Sequence, residues 1–387
     1  MSLSPNSKFA SRRQLILGAG GALVLAGSGL TYRVLRQPQS AFAPWNLSDG
    51  PVEDVRLDAF RHAILAPNPH NRQPWVIKLV GADQALIHCD LDRRLPVTDP
   101  FDRQITIGFG CFVGLAEVAA SKRGYVIDVT PFPDGEPAPR LDARPVAHLR
   151  FRRVEGLAVD PLAEAILARR SNKQPYDMAR PVLESVLSQI AAASVPGITI
   201  GHSSEPGLTG QLRGLIWEAM KTELITPRTF RESVDLIRIG APEIDANPDG
   251  IAVRGPMMEA LALAGQVSRE QIADMSSTAF KTTYERYAKT FASTPSFFWI
   301  SAQGTSRKEE LAAGAAYVRA NLAATRLGLS MQPVSQAIQE YPEMTELRLK
   351  LRTMLGVERV HMLMRLGYAP SPEPTPRWPL ETRIAVR

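Results

Sequence analysis

Residues 65–75 read LAPNPHNRQPW, and this stretch predicts a rigid polar turn between a helix and a strand. Its three prolines fix φ and remove backbone donors, so the chain must turn sharply after the preceding helix. Asn68, Asn71 and Gln73 then present amide groups that can both donate and accept hydrogen bonds. Such groups suit the polar edge of a flat heterocycle, although a simple capped helix-to-strand turn would also use them.

The residues on either side predict an alternation of helices and strands. In the first half, helices are expected at 51–65 and 106–123 and strands at 75–80, 85–89, 125–130 and 146–151. In the second half, helices are expected near 161–169, 181–192, 207–222, 254–268 and 306–327, with strands at 296–302 and 360–367. A proline-rich tail at 369–379 must be extended. This alternation predicts an α/β or α+β domain.

Two segments of the chain resemble one another. Residues 110–124 (GCFVGLAEVAASKRG) align without a gap on residues 314–328 (GAAYVRANLAATRLG), and five of fifteen positions agree. Two alanine-rich helices could match this well by composition, so both duplication and chance stay open. A duplication would place the small residues of two helices against each other at the centre of a pseudo-dimer.

The first 45 residues have the features of an export signal. Lys8, Arg12 and Arg13 precede an apolar run at 15–30, and residues 41–43 (AFA) offer a small-residue cleavage site. Residues 11–17 (SRRQLIL) resemble the twin-arginine consensus, so we expect residues 1–43 to be a twin-arginine signal peptide. The apolar run has 16 residues, against ~20 needed to span a bilayer. Retention of an uncleaved signal as an anchor is the alternative.

The charge distribution follows the same division. No acidic residue precedes Asp49, and residues 44–387 hold 40 basic and 39 acidic residues, so their net charge is +1 rather than the +6 of the whole chain. A nucleic-acid-binding domain would keep a concentrated basic surface, so no nucleic acid is expected as a partner.

The sequence predicts no disulfide framework, no metal site and no dinucleotide-binding motif. Cys89 and Cys111 lie in apolar stretches and are expected to be buried thiols rather than a disulfide framework. The six histidines show no metal-ligand spacing, so no metal site is predicted. The glycine-rich run 108–114 has the wrong spacing for a dinucleotide fingerprint, and helix packing explains it better.

Two further segments carry candidate binding residues. Residues 168–176 (ARRSNKQPY) contain Arg169, Arg170 and Ser171, which could clamp a phosphate through charge-assisted hydrogen bonds. A solvated basic turn is the alternative for this segment. Residues 365–370 (RLGYAP) end a predicted strand, and the extended arm that follows carries Arg377.

Together these segments resemble the nitroreductase family of FMN-dependent oxidoreductases. Residues 66–75 are similar to its A-P-S-x-x-N-x-Q-P-W segment, with Asn68 in place of the usual serine, and residues 169–171 are similar to its R-R-S phosphate motif. Residues 328–335 resemble the loop beside the reactive edge of the flavin, and Gly367 and Tyr368 with Arg377 resemble the closing strand and tail. The resemblance covers most of residues 50–385.

The order of the motifs differs from that of ordinary members, in which R-R-S comes first and the two chains of a homodimer hold each flavin. Here the motifs are reversed and about 100 residues apart. The resemblance therefore implies an α+β, nitroreductase-like fold with mixed sheets flanked by helices. It also implies a fused, monomeric pseudo-dimer with one half at 44–157 and the other at 158–387. The chain is most similar to the Acg-like, or latent nitroreductase, branch, which implies a lid at about 220–290.

The resemblance also assigns roles to residues. Phosphate contacts are expected from Arg169, Arg170, Ser171 and Arg377, ring or ribityl contacts from Pro67, Asn68, Pro69 and Asn71, and contacts at the reactive edge from Pro333, Val334 and Ser335. The flavin would carry the chemistry, and no side chain need act as a catalytic acid or base. The expected function is ping-pong electron transfer from an unknown donor to a quinone or nitroaromatic-like acceptor. The alternative is FMN storage or sequestration, because NAD(P)H is scarce outside the cytoplasm. Export through the twin-arginine translocase would place the protein in the periplasm or cell envelope.

Overall fold

The computed structural model describes residues 34–385. The twin-arginine motif and the apolar run of the predicted signal fall at 11–30, outside the described residues. Two four-stranded antiparallel sheets, each flanked by helices, form the body of the described chain. The predicted α+β class is confirmed.

The first sheet is built from residues 75–153. After helix α1 (Val55–Ala63) come strands β1 (Trp75–Val80) and β2 (Gln84–Cys89), helix α2 (Arg103–Ser121), and strands β3 (Tyr125–Pro131) and β4 (Ala147–Arg153). The strand order is β1-β2-β4-β3, with every neighbouring pair antiparallel. Burial alternates along β2, as expected for a strand whose one face packs on helices.

The second half begins with helix α3 (Glu184–Ala191) and strand β5 (Thr199–Ser203), after which a mainly helical insertion leaves the sheet. The insertion comprises α4 (Pro206–Ile225), α5 (Pro227–Asp235), β6 (Ile237–Ile239), α6 (Gly240–Ala246), β7 (Ile251–Val253), α7 (Pro256–Leu263), α8 (Arg269–Ala273) and α9 (Thr278–Ala292). The predicted lid at about 220–290 falls inside this insertion. We use the name lid for residues 206–292 from here on.

The chain then completes the second sheet with β8 (Ser296–Ser301), helix α10 (Arg307–Arg326), β9 (Ser330–Pro333), helix α11 (Thr345–Leu355) and β10 (Val360–Gly367). The strand order is β5-β8-β10-β9. The extended tail crosses back to the first half, where Ile384 bridges Ile77 and the Ala385 N–H donates to the Ile77 carbonyl at 2.8 Å. The second half is therefore joined to the first at its N-terminal end by the continuous chain and at its C-terminal end by this pairing with β1.

Helices α2 and α10 cross at the centre of the molecule with their backbones in contact. A Cβ on Gly110 would lie 1.9 Å from the Leu311 carbonyl oxygen, and one on Gly314 would lie 2.0 Å from that of Ile107. Only glycine permits this approach, because any larger residue would place an atom inside the neighbouring backbone. Gly110 and Gly314 are the first residues of the two similar segments, so those segments meet each other face to face.

The rest of α2 is also explained by packing. Among residues 34–385 it is the one helix long and apolar enough to cross a membrane, and 89% of its most apolar window is buried inside the protein. A Cβ on Gly108 would lie 3.2 Å from the Asn68 Cβ and 3.3 Å from the Pro69 Cδ, so the polar turn rests on this helix. The glycines of 108–114 thus serve close packing.

Some predicted elements differ from the structure. Residues 161–169 form a short 3₁₀ helix at Pro161–Ala165 followed by a turn, rather than one helix, and the turn ends where the Arg169 N–H donates to the Ala165 carbonyl at 2.9 Å. The helix expected at 254–268 ends at Leu263. The helices α5, α6, α8, α9 and α11 and the strands β5, β6, β7 and β9 were not predicted individually. In α9 a helical signal was present, because Phe280, Tyr284, Tyr287 and Phe291 recur at helical spacing.

Candidate functional site

The polar turn at residues 65–73 receives two buried arginines from distant parts of the chain. Arg169 and Arg377 are only 2% and 3% exposed. Arg169 Nη2 donates to the Leu65 carbonyl oxygen at 3.0 Å, and Arg377 Nη2 donates to the same oxygen at 3.1 Å. Because both guanidinium groups bind one atom, they lie side by side. The free carbonyls that follow α1 attract these cations, as helix C-termini do.

These guanidinium groups have unused hydrogen-bond donors. Arg169 Nε and Nη1, Arg170 Nε and Arg377 Nε are buried without a partner, and no ion pair of Arg169, Arg170 or Arg377 occurs within residues 34–385. Burial, reinforced by the charges of Arg169 and Arg170, lowers the pKa of Arg377 to about 9. Burial also lowers the pKa of Arg169 and of Arg170. Buried cations without counter-ions are costly, by several kcal/mol each, so the cluster is suited to an anion.

The turn itself is strained and held by its surroundings. His70, Asn71 and Gln73 have φ values of 46°, 53° and 50°, which cost roughly 1–2 kcal/mol each for residues other than glycine. The Gln73 N–H donates to Asn68 Oδ1 at 2.8 Å, and Gln73 Nε2 donates to the Pro248 carbonyl at 2.7 Å. Strained conformations that the surrounding structure imposes are concentrated at functional sites.

The predicted ring-binding residues of this turn are occupied by protein groups. Asn71 Oδ1 accepts from Arg377 Nη1 at 2.6 Å, and Asn71 Nδ2 donates to the Pro376 carbonyl at 3.0 Å. Asn68 Nδ2 donates to the Ala66 carbonyl at 3.1 Å. Pro67 is buried, and Pro69 starts the short 3₁₀ turn of this loop. The structure thus brings Asn71 and Arg377 together, with the asparagine positioning the arginine.

Ser171 connects the arginine cluster to the second sheet. It forms an isolated parallel bridge with Met331 of β9, and the next residue, Asn172, donates its N–H to the Met331 carbonyl at 3.1 Å. Asn172 Nδ2 also donates to Ser330 Oγ at 2.8 Å. Pro333 lies two residues further along β9, about 7 Å away at the usual rise of a strand. The motifs at 169–171 and 333–335 are therefore neighbours in space.

The three residues predicted at the reactive edge have different roles here. Pro333 pairs with Met364 of β10 and has no N–H. The Val334 N–H donates to the Leu363 carbonyl at 2.8 Å, so it is already used. Ser335 follows at the start of a 3₁₀ turn, Gln336–Ile338. Of the three, Ser335 is best placed to offer a backbone donor to a ligand.

Two carboxylates hold the lid onto the first half, and sequence reasoning missed both. Asp249 accepts hydrogen bonds from Arg72 (3.0 Å), Arg93 (2.9 Å) and Arg238 (2.8 Å). Glu232 accepts from the N–H groups of Val97 and Thr98 at 2.8 and 2.9 Å and from the Thr98 hydroxyl at 2.5 Å. Apart from Arg238, which is 11 residues from Asp249, these partners are 134 to 177 residues away along the chain, and no local pattern links them.

A buried acid on the lid meets the segment after Ser335. Glu223 of α4 is 7% exposed, and burial raises its pKa to about 7 although the nearby side chains of Gln339 and Gln336 act to lower the pKa. It therefore changes protonation near neutral pH beside the 3₁₀ turn that follows β9. In the sequence this glutamate is indistinguishable from a solvated helix residue.

No protein-family model matches the sequence. No curated protein matches it either. Among solved structures, the nitroreductase-like family protein from Bacillus cereus is similar over 59% of this chain and 97% of its own, with 14% identity and a TM-score of 0.32. The FMN-dependent nitroreductase NfnB from Mycobacterium smegmatis in complex with NADPH matches over 55% of this chain and 93% of its own, with 18% identity and a TM-score of 0.33.

A nitroreductase with bound FMN from Bacteroides fragilis matches over 55% of this chain and 91% of its own, with 15% identity and a TM-score of 0.31. Identities and TM-scores this low assign neither a family nor an activity to the chain.

Proposed function

We propose that this chain binds FMN and that its phosphate occupies the cluster of Arg169, Arg170 and Arg377. The observation that carries the proposal is the set of buried guanidinium donors that have no partner. A phosphate monoester is a dianion with three acceptor oxygens, and arginine binds such groups through charge-assisted hydrogen bonds. The residues fit this group better than they fit a neutral ligand, which would leave three cations uncompensated.

The surrounding residues suit the rest of an FMN molecule. The strained turn contacts the arginines through the hydrogen bond of Asn71 with Arg377, and the segment 333–335 is joined to them through the pairing of Ser171 with β9. When bound, FMN supplies two-electron redox chemistry, and the protein supplies position and electrostatics. Within this chain, the role of Asn71 is to hold Arg377, and Ser335 would offer a backbone N–H to the bound cofactor.

We propose that the bound cofactor serves an oxidoreductase of the nitroreductase type, of the Acg-like branch, acting on a quinone or nitroaromatic-like acceptor. The support is the joint occurrence of the motifs at 66–75, 169–171 and 328–335 and their proximity in the folded chain.

A second function, FMN sequestration with little turnover, is favoured by the way the lid is held. Asp249 and Glu232 together accept six hydrogen bonds, five of them from the first half of the chain. The Gly250 N–H also donates to the Asn71 carbonyl at 3.3 Å, which joins the lid to the turn itself. A lid fixed in this manner would exclude a large donor such as a nicotinamide dinucleotide.

The visible absorption spectrum of the purified protein tests both proposals. A flavin spectrum, with FMN released on denaturation, is expected; a colourless protein that takes up no added FMN would contradict both. Anaerobic mixing with NADH, NADPH or a reduced quinol then separates them. Bleaching by one donor and recovery with a quinone or nitroaromatic supports the oxidoreductase, whereas no bleaching by any donor supports sequestration.

We also propose that the protein is exported folded, with its cofactor in place, through the twin-arginine translocase. The motif at 11–17 and the excess of basic residues before Asp49 support this location. Replacing both Arg12 and Arg13 by lysine in the full-length chain should leave it in the cytoplasmic fraction. Unchanged recovery from the periplasm or envelope would contradict this route.

A further inference from the structure

Residues 36–45, which we call the strap, run across the arginine cluster and form part of the fold. Residues Ser40–Trp45 form a 3₁₀ turn, and Ala41 is fully buried. The Ala41 carbonyl accepts the Arg377 N–H at 2.8 Å, and Trp45 Nε1 donates to the Thr375 carbonyl at 2.8 Å. The strap therefore pairs with the tail segment that carries Arg377.

One lid carboxylate fastens the other end of the strap. Asp245 of α6 accepts hydrogen bonds from the Gln39 N–H at 3.0 Å, the Ser40 hydroxyl at 2.9 Å and the Ala41 N–H at 3.2 Å. It also forms an ion pair with Arg36 at 3.3 Å. A carboxylate that receives four donors from one short segment fixes that segment firmly.

Aromatic side chains of the strap lie against three arginines, two of which, Arg170 and Arg377, belong to the phosphate cluster. The Arg170 guanidinium carbon is 4.5 Å from the centre of the Trp45 ring, and that of Arg377 is 5.5 Å from it. The Arg254 guanidinium lies 4.6 Å from the Phe42 ring. Cation–π contacts of this kind orient an arginine while leaving its N–H groups free for an anion.

We propose that the exported protein keeps the strap, that no cleavage occurs after Ala43, and that Trp45 is a positioning residue of the phosphate cluster. The sequence by itself suggests residues 41–43 as a cleavage site. A protease requires an extended substrate segment, and here residues 41–43 lie in a 3₁₀ turn. Ala43 is exposed, but the buried Ala41 holds the turn in place by donating its N–H to Asp245 and accepting the backbone N–H of Arg377. In a protein exported folded, cutting would require the strap to detach first, so cleavage is governed by the small population of the detached state.

Intact-mass measurement tests the retention of the strap. The full-length chain with a C-terminal tag is expressed in a host with a twin-arginine pathway, and the exported protein is purified and weighed. We expect an N-terminus at or before Arg36. An N-terminus at Pro44 would overturn the proposal. This measurement does not depend on FMN.

A variant pair tests whether docking is the reason for retention. Asp245→Ala removes the acceptor of the strap, so a product that starts at Pro44 should become a major species. Asp235→Ala removes a lid carboxylate that pairs only with the exposed Arg231 and should behave as wild type. If the Asp245→Ala protein is cleaved after Ala43 no more than wild type is, the contact of the strap with Asp245 is not what prevents cleavage.

The role of Trp45 rests on the proposed FMN site and has its own readout. Trp45→Leu should raise the FMN dissociation rate about tenfold, as expected for loss of a desolvated cation–π contact. Trp45→Phe keeps a ring face and should stay within about threefold of wild type. Equal dissociation rates for all three proteins would overturn the positioning role, whereas a protein that takes up no FMN would instead contradict the proposed function.

Discussion

Arg169 shows how a single buried side chain can indicate a ligand. It makes one hydrogen bond, to the Leu65 carbonyl, and leaves Nε and Nη1 unpaired in the interior. Arg169→Ala should weaken FMN binding roughly ten- to hundredfold, since a hydrogen bond to a charged group is worth about 1.5–3 kcal/mol. Fluorescence titration of the apoprotein with FMN measures the change.

The matched control for this prediction is Arg152→Ala. It removes the same charge from an exposed pair with Asp128 and should leave FMN affinity within about twofold. Equal affinity of the Arg169→Ala protein and wild type would contradict the phosphate cluster.

His361 makes the stability of the fold depend on pH. It is fully buried in β10, and burial, assisted by the charges of Arg103 and Arg359, lowers its pKa to about 4. Between pH 6.5 and pH 4 the imidazole of His361 is protonated in the unfolded chain but neutral in the folded chain. This residue therefore destabilises the fold as the pH falls from 6.5 to 4.

Replacing this histidine isolates its effect. When the pH falls from 7 to 4, wild type should lose about 3 kcal/mol more unfolding free energy than His361→Gln does. Urea unfolding at a series of pH values gives this difference. A gap that stays constant with pH would show that the histidine does not titrate in this way.

At the scale of elements, the crossing of α2 and α10 depends on glycine. Gly110→Ala or Gly314→Ala should force the helices apart and lower the unfolding free energy by about 1–3 kcal/mol. Gly214→Ala is the control, because nothing lies within 4 Å of its added Cβ in α4. That change should be neutral or stabilising by up to about 1 kcal/mol. Thermal unfolding measures the three variants. If Gly110→Ala or Gly314→Ala is as stable as Gly214→Ala, the close crossing is contradicted.

The lid is a second element with its own prediction. Glu232→Ala removes the acceptor of the Val97 and Thr98 N–H groups, so hydrogen exchange at those amides should accelerate roughly tenfold or more. Glu218→Ala, which breaks only an exposed pair with Lys221, should leave the exchange unchanged. Exchange mass spectrometry measures both. Slow exchange in the Glu232→Ala protein would show that other contacts hold the lid.

At the scale of the whole molecule, we predict a monomer. The two helices that would meet across a homodimer interface, α2 and α10, already meet within one chain. The C-terminal arm likewise reaches the first sheet of the same chain, at Ile77. Sedimentation analysis should therefore give a species near 42.4 kDa for the full-length protein. An obligate dimer would contradict the fused pseudo-dimer.

The sequence by itself determined the strands β1, β2, β3, β4, β8 and β10, the two central helices and the three motifs around the site, because periodicity, prolines and paired arginines are local signals. Only the tertiary structure decided which residues of those motifs contact each other and which distant residues hold them in place. Asn71 holds Arg377, Asp249 and Glu232 fasten the lid, and the suggested cleavage site is folded against Asp245. Each of these contacts joins residues far apart in the chain, and their free energy comes from burial and charge that exist only once the chain has folded.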